Sequence, residues 1–148
     1  MTNSIIHVSL AILYREGKLL MQLRDDIPGI VYPGVWGLFG GHVEPGETPE
    51  VAVKREVTEE INYEISEVSA FGEYPDTRVV RHVFYSPLTV DLSQLVLKEG
   101  WDFGLITPEQ IRQGQAYSEK AVGVRSLGRP HQQILLTFID QKGELLAV

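Results

Sequence analysis

Cysteine is absent from the 148 residues, which excludes a disulfide framework and any zinc site built on thiolates, and is consistent with a reducing compartment. Long apolar runs are absent too. No stretch approaches the ~18 consecutive apolar residues of a membrane span, and the opening Met1-Thr2-Asn3-Ser4 lacks the basic-then-apolar pattern of a secretory leader. A cytoplasmic protein with no membrane partner is the expectation. Positive charge is scarce: 13 Lys and Arg stand against 20 Asp and Glu, a net charge of −7, so a basic groove for a nucleic acid polymer is not expected. An anionic ligand would therefore need a metal ion to neutralise the mismatch. What is present is a hydrophobic fraction of 43%, enough for a core, in a length that suits a single domain over 1–148.

The chain opens with an apolar, β-branched run from Ile5 to Tyr14, a turn at Arg15-Glu16-Gly17-Lys18 and a second apolar run from Leu19 to Leu23, which predicts a β-hairpin. Pro28-Gly29 and Pro33-Gly34 put loops before a short strand, Val35 to Phe39, that ends in Gly40-Gly41. Thr48 followed by Pro49 starts a helix, because the hydroxyl caps orphan amides and proline costs nothing at the first helical position. Val53, Val57 and Ile61 give that helix an apolar stripe, and Asn62 suits the left-handed conformation that ends one. Strands are expected at Tyr63 to Tyr74, Val79 to Val90 and Trp101 to Ile106, a short helix after Thr107-Pro108-Glu109, a mobile loop over 114–129, and a closing helix from Pro130 to Ile139. Neither a repeat nor a linker interrupts this order, which predicts an α+β fold: an α/β/α sandwich with a mixed β-sheet between helices.

Chemistry concentrates in GHVEPGETPEVAVKREVTEEINY, Gly41 to Tyr63. On a helical wheel Glu56, Glu59 and Glu60 share an arc of roughly 100°. That arc adjoins the valine stripe, placing the carboxylates at the rim of the core. Like charges at this spacing oppose one another, and partial burial adds to the cost. Mg²⁺, with Mn²⁺ as substitute, would offset both, because hard cations take oxygen ligands and would in turn accept phosphate oxygens. The alternative is a solvated acidic face balanced by Lys54 and Arg55.

The spacing decides between them. Gly41, five residues, Glu47, seven residues, Arg55-Glu56-Val57, one residue and Glu59-Glu60 resembles the box of the Nudix hydrolase family (MutT-like). The departure is Asn62, where the family has glycine, a change that a left-handed cap tolerates. Leu23-Arg24-Asp25-Asp26 and Trp36-Gly37-Leu38-Phe39-Gly40-Gly41 extend the resemblance through the first half. The resemblance implies Glu56, Glu59 and Glu60 as metal ligands, with the Gly40 carbonyl as a backbone ligand. It also implies Glu47 and Arg55 as a supporting pair, and an additional glutamate outside the box as ligand or general base. Glu99 fits that last role, with Asp102 in reserve; otherwise Glu56 is itself the base.

Arg24, Arg78 and Arg81 are candidates to grip phosphates, and Tyr32, Trp36, Phe39 and Trp101 to stack on a base, against the blander roles of surface charge and core packing. His42 and His82 could reach a substrate but are more simply read as hydrogen-bonded. The expected activity is Mg²⁺-dependent cleavage of the phosphoanhydride of a nucleoside diphosphate linked to another group, with a nucleotide sugar first. Removal of oxidised nucleoside triphosphates comes second. Water transfer to a glycosyl carbon is disfavoured by the retained glutamates, and a non-catalytic nucleotide sensor is the rival from another class. A homodimer is compatible with all of these.

Overall fold

The structure, a computed structural model, describes residues 4–30 and 33–147. Strands β1 (Ile6–Arg15) and β2 (Lys18–Leu23) form the expected hairpin. Glu16 and Gly17 both take positive φ in its turn (52° and 78°), the combination that matches the right-handed twist of the flanking strands. The predicted strand at Val35 to Phe39 is instead two: β3 (Trp36–Gly37) pairs with β2, and β4 (Phe39–His42) pairs with β1. The break falls at Leu38, whose amide donates to His131 Nδ1 at 3.0 Å instead of to a strand.

After helix α1 (Pro49–Ile61) come β5 (Ser69–Pro75), β6 (Val79–Pro87) and β7 (Asp102–Ile106). β5 starts later than expected because Ile65 plugs the core beneath α1, and the irregular chain around it is held by Lys54 Nζ donating to the Ser66 carbonyl and Ser86 Oγ to that of Glu67. The sheet has the order β3-β2-β1-β6-β5, with β4 added to β1 and β7 to β2. Among the strand pairs of the described residues β1 and β6 are parallel and the others antiparallel, so the sheet is mixed.

Alternation along β1 and β6 divides the core. Leu10, Ile12 and Val83 pack with Ile111 of α2 (Pro108–Gln113) and with Ile134, Leu135 and Phe138 of α3 (Arg129–Lys142). Ala11, Leu13 and Phe84 pack against Val53, Val57 and Ile61 of α1. The fold is thus an α+β sandwich with helices on both faces of a mixed sheet. The stretch expected to be a mobile loop contains a second hairpin, β8 (Gln115–Ser118) and β9 (Gly123–Ser126), and its glycines and charges concealed the alternation of buried Ala116 and Ser118 with exposed Gln115 and Tyr117.

Candidate active site

Helix α1 is fixed at both ends. Thr48 Oγ1 accepts from the Val51 amide at 3.2 Å, and Asn62 closes the helix in the left-handed region at φ 55° and ψ 40°. With Val53, Val57 and Ile61 locked in the core, the three glutamates are graded across its rim. Glu60 is 6% exposed, the Glu56 side chain 18% and the Glu59 side chain 58%.

Glu60 Oε1 accepts from the Gly40 amide at 3.0 Å, so the contact made by Gly40 is through its N–H. Burial, and then the neighbouring charge of Glu56, pushes the Glu60 carboxyl up to about 8. Glu56 is raised as well, by burial, against the pull of Arg55. Its carboxyl lies over Gly41, where a Cβ would come within 2.5 Å of it. A glycine is needed there to let the carboxylate approach the strand.

Arg55 makes the supporting pair anticipated with Glu47. Its Nε and Nη2 reach the two Glu47 oxygens at 2.7 and 3.0 Å, and Nη2 also donates to the His42 carbonyl at 3.1 Å. The fork geometry suits a carboxylate held at two points. Arg55 holds Glu47 down at about 2. Its Nη1 lies between Glu56 (3.1 Å) and Glu59 (3.3 Å).

Glu99 arrives from the far side of the sequence. The chain before it is hydrogen-bonded to the end of α1, Val96 N to the Ile61 carbonyl and Lys98 N to that of Glu60, and the chain after it to β2, Trp101 N to the Leu23 carbonyl. Glu99 thereby lines a cavity of about 430 Å³ with Glu60, Arg24 and Gln22. Its charge raises both Glu56 and Glu60, while Arg24 lowers Glu60. Among the described residues no three His, Asp or Glu side chains stand close enough together to hold one ion as they are. Arg55 occupies the space between Glu56 and Glu59, and Glu60 is turned to Gly40. The donor set is nonetheless all oxygen, crowded and partly buried, the chemistry that suits a hard divalent cation.

Other expectations are redistributed. Asp102 accepts from the Phe103 amide (2.8 Å) and Ser118 Oγ (2.7 Å) and lines a different cavity from that of Glu60 and Glu99. Trp36 and Phe39 are buried in the core and offer no stacking surface; Tyr32 lies outside the described residues. Trp101 is half-buried, with the Arg125 guanidinium 4.8 Å from its ring centroid. Arg125 also pairs with Asp26 at 3.2 Å, tying the chain after Arg24 to the chain after Glu99. Arg78 is exposed and lines neither this cavity nor the next. His82 is bonded to His7 at 2.9 Å, and His42 is exposed. Arg81 pairs with Asp76 at 3.6 Å in a second cleft of about 730 Å³, walled by Tyr74, Arg129, Gln133 and Ile134.

Sequence reasoning passed over His131, a buried side chain that feels the charges of both Arg24 and Arg81. Burial, then the charges of Arg81 and Arg24, holds it down at about 4. Neutral, it accepts the Leu38 amide at Nδ1 and leaves Nε2 as a donor.

A NUDIX domain profile matches residues 5–127. Over 70 residues the chain is 47% identical to the nucleoside triphosphatase NudI of an Enterobacter species, covering 46% of this chain and 49% of that one. Over 64 residues it is 39% identical to an RNA pyrophosphohydrolase of Gluconobacter oxydans, covering 43% and 35%. The matches thus span half or less of these relatives' length. A crystal structure of a MutT protein from Methanosarcina mazei superposes with a TM-score of 0.72 at 21% identity, covering 97% of this chain and 99% of that one, and shows the same fold. No helix among the described residues is long and apolar enough to cross a membrane. The paired Glu47 and Arg55, the carboxylates they adjoin and the profile match across most of the chain lead to one assignment: this protein belongs to the NUDIX family.

Proposed function

We propose that the protein is a divalent-cation-dependent pyrophosphohydrolase that cleaves the phosphoanhydride of a nucleoside diphosphate linked to a further group, with Mg²⁺ as the cation and Mn²⁺ able to replace it. One observation carries this reading: Glu60, Glu99 and Arg24 line a single cavity, with Glu56 close enough to raise Glu60. Glu56, Glu59 and Glu60 would hold the cation, with Gly40 beside them. The cation, when bound, would supply positive charge against the phosphate oxygens. Arg55, fixed by Glu47, keeps Glu56 and Glu59 on one side of the helix. Glu99 stands opposite them and would take the proton of the attacking water. Arg24 faces the carboxylates and would grip the phosphate, while Arg81, in the second cleft, would meet the remainder of the substrate.

A second reading, a nucleoside triphosphate as substrate, is favoured by the name of the 47% identical relative. A panel of nucleotide sugars, dinucleotides and triphosphates, read by phosphate release with Mg²⁺, separates the two. Glu60→Gln should reduce turnover about 10²-fold or more with the fold intact. Nucleotide binding without turnover by the unaltered protein would instead assign it as a sensor.

A further inference from the structure

Among the described residues five polar or charged side chains are buried: Ser9, Gln22, Glu60, Ser86 and Ser118. Four are accounted for, since Ser9 donates to the Pro49 carbonyl, Glu60 accepts from Gly40, Ser86 donates to the Glu67 carbonyl and Ser118 to Asp102. Gln22 is the exception. It is 5% exposed and stands in β2 among Leu19, Leu20, Met21 and Leu23, and its side chain meets the cavity lined by Glu60 and Glu99 instead of a hydrogen-bond partner among the described residues. Among the described residues no side-chain polar atom is both sealed from solvent and unpaired, so the Gln22 amide is open to the cavity it lines, where water or a ligand pairs it.

Position explains what packing does not. Gln22 and Arg24 are two residues apart on an extended chain and so lie on one side of it. Both line the cavity that holds Glu60 and Glu99. The amide lies directly beneath the loop that follows Glu99: a Cβ on Gly100, which has φ +99°, would fall 3.0 Å from Gln22 Oε1. The side-chain amide therefore stands at the cavity wall, next to the loop that carries Glu99.

We propose that Gln22 is a substrate-contacting residue whose side-chain amide donates to the phosphate group that Arg24 also faces. A neutral donor suits this place, since it binds a phosphate oxygen without drawing the nearby carboxylates into an ion pair. The proposal rests on the hydrolase reading above and adds to it the residue that completes the phosphate contacts.

The test uses Gln22→Leu and Gln22→Met, which fill the same space without a donor, and Gln22→Glu, which adds a repelling charge. Affinity for an α,β-methylene nucleoside diphosphate with Mg²⁺ is measured by calorimetry, beside KM, kcat and the melting temperature. Both apolar variants should bind the analogue about 10-fold more weakly and raise KM in proportion, with kcat little changed and the melting temperature equal or higher. Gln22→Glu should bind more weakly still. Affinity within twofold of the unaltered protein in a folded apolar variant overturns the proposal, and so does loss of fold in both, which would make the amide structural. If the unaltered protein neither binds the analogue nor turns over any nucleotide, the hydrolase reading itself has failed; binding that Gln22→Leu leaves unmoved removes this proposal alone.

Discussion

Two regions bring carboxylates to the same cavity, and they are built differently. Helix α1 presents Glu56, Glu59 and Glu60 from a capped frame whose adjoining face is sealed in the core. The Glu99 segment has no regular structure and owes its place to backbone bonds onto the end of α1 and onto β2, with Arg125 bridging Asp26 and Trp101 alongside. One side positions its groups by secondary structure, the other by what it is tied to. A rigid helix fixes ligands well, whereas a loop can place a proton acceptor at the reacting centre and adjust to the substrate there.

If the loop supplies the base and the helix the cation-binding charge, removing the Glu99 carboxylate has an effect on the scale of Glu60→Gln. Glu99→Gln should lower kcat about 10²-fold, the scale of general-base catalysis, with little change in the Mg²⁺ concentration needed for half-maximal rate. A loss below about 10-fold would move the base to Glu56 and leave the loop a lesser part of the site. Arg55→Lys attacks the helix side. It keeps the charge and loses the fork, so turnover should fall about 10-fold, with a raised Mg²⁺ requirement in place of the unchanged one expected for Glu99→Gln.

The same substitution has a pH signature. Glu47 titrates at about 2 in the folded protein against an ordinary value of 4.5, and hydrogen bonding from Arg55 is the main cause. A depressed carboxylate contributes stability that is complete above the unfolded value and is lost as pH falls through the folded one. Acid unfolding should therefore show a step between about pH 4.5 and 2 that shrinks in Arg55→Lys, as measured by circular dichroism across that window.

The difference between the regions also accounts for what the sequence made legible. The helix could be read because its information is local: a cap at Thr48, a stripe at Val53, Val57 and Ile61, and carboxylates at helical spacing. The pairing of Glu47 with Arg55 was legible only through family resemblance. The β8–β9 hairpin, the split of β3 from β4 and the irregular chain before β5 depend on distant partners, such as His131 at Leu38, that no window of sequence contains. Gln22 and His131 were missed for the same reason, although a lone glutamine in an apolar strand is a signal that a search for buried polar residues would find. Trp36 and Phe39 were open to a binding role in sequence because an aromatic reads alike in a pocket and in a core.

The smallest expected effect concerns the end of the helix. Asn62 holds the left-handed conformation, with its amide donating to the Thr58 carbonyl, while the single hydroxyl proton of Thr58 is within reach of the carbonyls of Lys54 (3.0 Å) and Tyr63 (3.2 Å). Glycine takes this conformation without the steric cost of a Cβ, and asparagine bears that cost only mildly. Glycine also gives the unfolded chain more freedom, which offsets part of the gain. Asn62→Gly should therefore shift stability by less than about 1 kcal/mol, with turnover and Mg²⁺ dependence unchanged. Because Glu60 is two residues from this cap, a fall in kcat without loss of stability would show that the cap sets the angle of the Glu60 carboxylate. The helix would then be as dependent on its tether as the Glu99 segment is on its own.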